Sequence, residues 1–107
     1  MATKYYYADA TGANDGTSEA NAWTDFETAL EGIAAGDILY MKKSTSRVSL
    51  GANKTINMAS QSDTATTIVE GYDATPGDGV RWQGGGSAHN VTINAGGNVV
   101  FKNIDYE

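Results

Sequence analysis

A chain of 107 residues with 7 Lys and Arg against 13 Asp and Glu carries a net charge of -6, and its only basic pair is Lys42 and Lys43. Too few cations are present to neutralise a phosphate backbone, which sets nucleic-acid binding aside. Cysteine is absent, so neither a disulfide framework nor a thiolate metal site is available; no apolar run reaches membrane-spanning length.

In chain order, the aromatic run from Lys4 to Ala8 predicts a strand in which Tyr5 and Tyr7 face one way and Tyr6 the other. Asp9 to Asn21 follows as a long ordered loop, because Gly12, Asn14, Asp15, Gly16 and Ser18 supply positive φ or side-chain bonds to the backbone. Thr24 with Glu27 fits a capping box, and Phe26, Ala29, Leu30 and Ile33 form one apolar helical stripe, ended by Gly32 and Gly36. Asp37 then turns the chain into Ile38 to Met41, a short buried strand.

The order of residues from Tyr5 to Tyr40, with Tyr5-Tyr6-Tyr7, Asn14-Asp15-Gly16-Thr17-Ser18, Ala22-Trp23, Ala29-Leu30 and Ala35-Gly36-Asp37, resembles the amino-terminal opening of right-handed parallel β-helix proteins of the pectate-lyase-like superfamily. Where that family continues with a Gly-x-Tyr turn, this chain has Lys43, Ser44, Thr45, Ser46 and Arg47. The resemblance implies a strand, loop and amphipathic helix over 4–42 that cap the first coil of a solenoid.

Beyond the cap, Arg47 to Leu50, Lys54 to Met58, Thr66 to Glu70, Gly79 to Trp82, Asn90 to Asn94 and Asn98 to Tyr106 are short and β-prone, separated by Gly, Asn, Asp and Ser turns. Ile56 and Met58 recur as Val80 and Trp82, and again as Ile104 and Tyr106, at a period of roughly 24 residues that suits a stacked repeat. The expectation is therefore a single, mainly β domain over 1–107: a short right-handed parallel β-helix with coils over 47–107 and an amino-terminal cap. Asn94, Asn98 and Asn103 are placed for hydrogen bonds between stacked turns. Strand pattern continues to Tyr106, which implies a last coil covered by a partner or by more chain.

No catalytic constellation stands out, and no catalytic, cofactor-binding or metal-binding residue is assigned. His89, the only histidine, sits in a Gly/Ser loop and reads as solvated; a triad or multi-histidine metal site finds no second member. Asp9, Asn14, Asp15 and Glu19 carry oxygens suited to Ca²⁺, but not at the EF-hand spacing, and they read as Asx-turn formers. Asp73, Asp78 and Arg81 form the one local acid/base cluster, and beside Pro76-Gly77 they read as turn residues. Tyr5 to Tyr7, Trp23, Tyr72 and Trp82 are candidates for stacking on sugar rings, against which stands simple core packing. Two Asn-x-Thr sequons, at Asn53 and Asn90, carry no weight without a secretory signal.

By resemblance, and from an opening Met1-Ala2-Thr3-Lys4 that does not read as a leader, the expected role is non-enzymatic: a bacteriophage virion protein, either a tail-spike or fibre segment or a capsid-decorating subunit. Its partners would be other virion proteins or copies of itself, with cell-surface polysaccharide as a further candidate, and no cofactor, nucleic acid or membrane. The alternatives are a non-catalytic segment of a secreted polysaccharide lyase or glycoside hydrolase, and a carbohydrate-binding module that uses exposed aromatics.

Overall fold

The computed structural model describes residues 2–48, 52–58, 61–85 and 91–106. Its elements are β1 (Thr3–Tyr6), α1 (Phe26–Gly32), β2 (Ile38–Lys42), β3 (Lys54–Met58), β4 (Thr67–Tyr72), β5 (Trp82–Gly84), β6 (Val91–Ala95), β7 (Val99–Lys102) and β8 (Ile104–Tyr106). All ladders are parallel: β1-β2-β4-β7 form a four-stranded sheet, and β3-β6 and β5-β8 form two-stranded sheets.

The regular solenoid expected over 47–107 is not what these sheets form. Residues that a fixed period would stack do not pair: Ile56 lies beside Ile93, and Val80 lies outside every strand. Only Trp82 beside Ile104 comes near the expected spacing. The connections are unequal in length, so strands of four, two and two gather into small sheets without a repeating unit. The radius of gyration, 12.8 Å, is that of a compact domain of this size.

Local chemistry explains the elements that do form. β1 ends at Tyr6, short of the expected run to Ala8; Tyr6 is fully buried, while Tyr5 in the strand and Tyr7 just past it are half-buried. The helix begins one residue later than the sequence pattern indicates. Asp25, not Thr24, is the N-cap; its carboxylate accepts from the Thr28 backbone N–H at 2.9 Å and the Thr28 hydroxyl at 2.8 Å. Thr24 instead donates its N–H to Asn14 Oδ1 at 3.0 Å. Phe26, Ala29 and Leu30 turn inward, and Ile33 leaves the helix in an extended conformation. Asp37, nearly buried, accepts from the N–H groups of Ala2 and Ala34, both at 2.9 Å, and so ties β1 to the turn after α1.

Beneath that turn, Thr67 accepts the Gly36 N–H at 3.0 Å and donates to Gln61, whose amide in turn donates to the Ile33 carbonyl at 3.2 Å. A polar chain therefore satisfies the backbone just past α1. The apolar core is Tyr6, Phe26, Ala29, Leu30, Ile33, Leu39, Met41, Ile56, Met58, Val69 and Trp82. At its centre Phe26 stacks on Trp82, with ring centroids 5.2 Å apart and planes within 7°. Tyr6 meets both rings edge-on at 6.0 Å. Gly71 is required where β4 passes this cluster: a Cβ there would strike the Asn103 carbonyl and the Trp82 backbone nitrogen, which are bonded to each other at 2.9 Å.

Boundaries shift toward the carboxyl side in the last strands. The run expected at Gly79 to Trp82 becomes Trp82–Gly84, and the run from Asn98 to Tyr106 is divided into β7 and β8 at Asn103, which takes a positive φ of 54°. That single residue turns the chain from one sheet into another. Arg47 to Leu50 is seen only as far as Val48, bridged to Gly84; Ser49 and Leu50 lie outside the described residues.

Candidate functional site

The three sheets begin with covered edges. Loop residues Gly16 and Trp23 bond to β1: the Tyr5 N–H reaches the Gly16 carbonyl at 3.0 Å, and Trp23 exchanges bonds with Tyr5 and Tyr7. Glu31 of α1 accepts the Asn57 N–H of β3 at 2.9 Å, and Val48 bonds to Gln83 and Gly85 along β5.

They end differently. Among the described residues, the outer edges of β6, β7 and β8 meet no further strand. Inward positions are buried in the earlier strands and open in the last ones. Leu39 and Val69 are fully buried, whereas Phe101, next in the same line, is 42% exposed. Ile56 and Trp82 are likewise buried, and their partners Ile93 and Ile104 are half-exposed. On the outer face of β7, Val100 is 41% exposed.

These residues frame an apolar hollow of about 330 Å³. Phe26, Met41 and Trp82 contribute to it from the core, and Val91, Ile93, Phe101, Ile104 and Tyr106 from the last three strands. The indole Nε1–H of Trp82 and the hydroxyl of Tyr106 are buried with no partner among the described residues, an unusual condition for buried donors. At the side, Arg47 bonds the Gly84 carbonyl at 2.7 Å and pairs with Asp105 at 3.5 Å. Such a surface is suited to excluding water against another apolar surface, and its unpaired backbone to extending a ladder.

A second region lies on the outer face of the four-stranded sheet. Tyr5 and Tyr40 rings lie 5.9 Å apart, and Tyr72 meets Tyr40 edge-on at 5.9 Å. Glu19 Oε1 accepts the Tyr72 hydroxyl at 2.8 Å and pairs with Lys42 Nζ at 3.1 Å; the same ammonium donates to the Asp73 carbonyl at 2.7 Å and lies over the Tyr7 and Tyr72 rings. Partial burial pushes the Glu19 carboxyl up, but the bonds from Tyr72 and Lys42 together with the ammonium charge outweigh it and hold the group below its usual range. Burial, then the bond to Glu19, raises the Tyr72 phenol. Hollows of about 310 and 360 Å³ flank this cluster, one beside Tyr5 and Thr17, the other beside Tyr7, Lys43 and Ser44.

The acidic candidates are not brought together. Asp15 caps the turn at Thr17, with the hydroxyl bond at 2.6 Å, and that bond lowers its carboxyl. Asn14 holds Thr24, Glu19 holds Lys42, and Asp9 reaches the Thr45 N–H at 3.5 Å. No group of three or more metal-ligating side chains occurs among the described residues. Asp78 accepts from the N–H groups of Asp73, Ala74, Thr75 and Val80, which lower its carboxyl, while Arg81 is exposed. That cluster therefore folds its own loop. Trp82 is wholly buried, which removes it from any sugar-stacking surface; His89 lies outside the described residues.

No family model, curated protein or solved structure matches this chain. No helix among the described residues is long and apolar enough to cross a membrane.

Sequence reasoning did not single out Phe101, Val91 and Ile93 as a shared surface, because each is an ordinary apolar strand residue until the register places it on a last strand among the described residues. It also missed the pairing of Glu19 with Lys42 and Tyr72, whose members lie far apart in the chain. The presence of two adjacent apolar residues, Val100 and Phe101, was the available signal: in a strand they face opposite sides, so one must be exposed or covered from outside.

Proposed function

We propose that this chain is a non-enzymatic structural protein of a bacteriophage particle, and that it acts through protein–protein contacts made at the open end of β6, β7 and β8. The observation that carries the association role is the apolar hollow beside exposed Phe101, at strand edges that meet no further strand among the described residues. The particle assignment is supported by the resemblance of the segment from Tyr5 to Tyr40. The test has two parts. Proteolytic mass spectrometry of purified particles should detect the chain, and 1-anilinonaphthalene-8-sulfonate should bind the isolated protein and lose that binding in Ile93→Glu. A protein absent from particles loses the first assignment; one that neither associates nor binds the dye loses the second.

A second reading, glycan binding, is favoured by one observation: Tyr5, Tyr7 and Tyr40 present half-exposed rings beside the charged Glu19 and Lys42, with a hollow on either side. Aromatic faces bordered by donors and acceptors suit a sugar ring. Titration with an oligosaccharide library, followed by amide chemical shifts, should then perturb residues near Tyr7, and Tyr7→Ala should abolish the response. Shifts confined to other faces would remove this reading.

A further inference from the structure

We infer that Tyr5 and Tyr40 form a modification site, at which one-electron oxidation joins the two phenol rings as dityrosine and ties β1 covalently to β2.

Register brings the rings together. Tyr5 and Tyr40 stand opposite each other in the parallel ladder of β1 and β2, and Tyr40 lies between the buried Leu39 and Met41, on the face turned from the core. Neighbouring strands lie about 4.8 Å apart, and these two ring centroids are 5.9 Å apart with planes tilted by 35°. The Tyr5 backbone is held from its other side, its N–H on the Gly16 carbonyl and its carbonyl on the Trp23 N–H. A biaryl bond forms between the π faces of two phenoxyl radicals, so rings side by side and closer to parallel than to perpendicular need only a small side-chain rotation.

The surroundings set the other phenols aside. Tyr6 and Tyr72 are wholly buried, and Tyr72 meets Tyr40 edge-on at 82°, so no two π faces meet there. The Lys42 ammonium lies 5.4 Å from the centre of the Tyr7 ring and 5.6 Å from that of Tyr72. A positive charge at that distance opposes removal of an electron from either ring. Tyr5 and Tyr40 remain, both half-exposed, with Tyr5 at the border of a hollow of about 310 Å³. Sulfur does not divert the oxidant, since cysteine is absent and Met41 and Met58 are buried.

The oxidant is a haem peroxidase supplied with hydrogen peroxide, or another one-electron acceptor. It takes one electron from each phenol, and each hydroxyl proton passes to water. The two ortho carbons then join; each loses its proton, and each oxygen regains one. In sum the two phenols give up two electrons and two protons, which convert one hydrogen peroxide into two waters. Unlike a disulfide, the new carbon–carbon bond is not opened by thiols.

Treatment of the full chain at low concentration with a haem peroxidase and hydrogen peroxide tests this. The expected product keeps the monomer mass of 11.2 kDa less two hydrogens and gains dityrosine fluorescence. Cleavage at Glu19, Glu27 and Glu31 separates Tyr5 from Tyr40 in the untreated chain and should leave their peptides joined in the product. Tyr5→Phe and Tyr40→Phe, which keep the ring packing, should each abolish the internal link, whereas Tyr7→Phe should leave it unchanged. Photo-oxidation with a ruthenium tris-bipyridyl complex and persulfate should give the same linked pair, and it decides where the enzyme is too bulky to react. An internal link that maps to another pair, or persists in Tyr40→Phe, overturns the inference, as does a product linked only between chains. A chain that gains no dityrosine under the photo-oxidant, while free tyrosine in the same solution couples, overturns it as well.

Discussion

The two ends of this molecule are built from similar strands but finished differently. At the first end a helix, a thirteen-residue loop from Asp9 to Asn21 and the bridge at Val48 bond to the edges of β1, β3 and β5. At the other, β6, β7 and β8 show equivalent edges with nothing against them among the described residues, over an apolar hollow. Parallel pairing satisfies a strand on both sides only if something continues the ladder or covers it, so an edge is a choice between closure and association. Among the described residues the first edges are covered and the last are not.

That contrast is sharpest in mutational cost. Leu30→Ala, on the helix that seals the first end, should destabilise the fold by about 3 kcal/mol in urea denaturation, because Leu30 is fully buried and the helix cannot collapse into the void. A loss under about 1 kcal/mol would mean that the helix is not a true seal. Asp37→Ala should cost about 2 kcal/mol, since the Ala2 and Ala34 N–H groups both lose their side-chain acceptor. Its signature is selective: amide exchange of β1 should accelerate while β6 to β8 stay unchanged.

Acid should act on the first end and its neighbouring loops. The carboxyls of Asp15, Glu19 and Asp78 are all lowered in the folded protein, so their contribution is present above the ordinary carboxylate pKa and is lost as pH falls through the depressed folded values. Melting temperature should therefore drop below about pH 4, and Asp78→Asn should flatten part of that drop. A profile unchanged by Asp78→Asn would count against the role of this side chain in holding the 73–80 loop. The smallest effect belongs to the open end: Phe101→Ser should alter monomer stability by no more than about 0.5 kcal/mol, since the ring is already 42% exposed. A large loss there would mean that the ring supports the fold of a single copy, and the comparison between the ends would fail.

How much of this was legible follows from the range of the interactions. The alternation of Tyr5, Tyr6 and Tyr7, the helical stripe of Phe26, Ala29 and Leu30, and the turn at Asp37 depend on near neighbours, and they form where the sequence places them. The cap moved from Thr24 to Asp25 because Asn14, ten residues earlier, claims the Thr24 N–H. The expected solenoid failed for a longer-range reason. A period read from Ile56, Val80 and Ile104 treats all connections as equal, but the loop organised by Asp78 takes Val80 out of the strands and delays β5 to Trp82. That the last strands would need a cover was expected from the strand pattern running on to Tyr106; which side chains line that face was not, since whether Phe101 is core or surface depends on register rather than on its own identity.

The placement of Trp82 has an optical consequence. Its indole contributes to the hollow at the open end, stacked on Phe26 with its N–H unpartnered, whereas Trp23 lies against Gly16 and Gly32 at the closed end. The protein's two tryptophans are thus separated, and with Trp23→Phe the remaining indole emission, excited selectively over the six tyrosines, comes from Trp82 alone. Anything that enters will change the polarity around that ring and shift its spectrum, so filling of the open end can be followed in real time without a label.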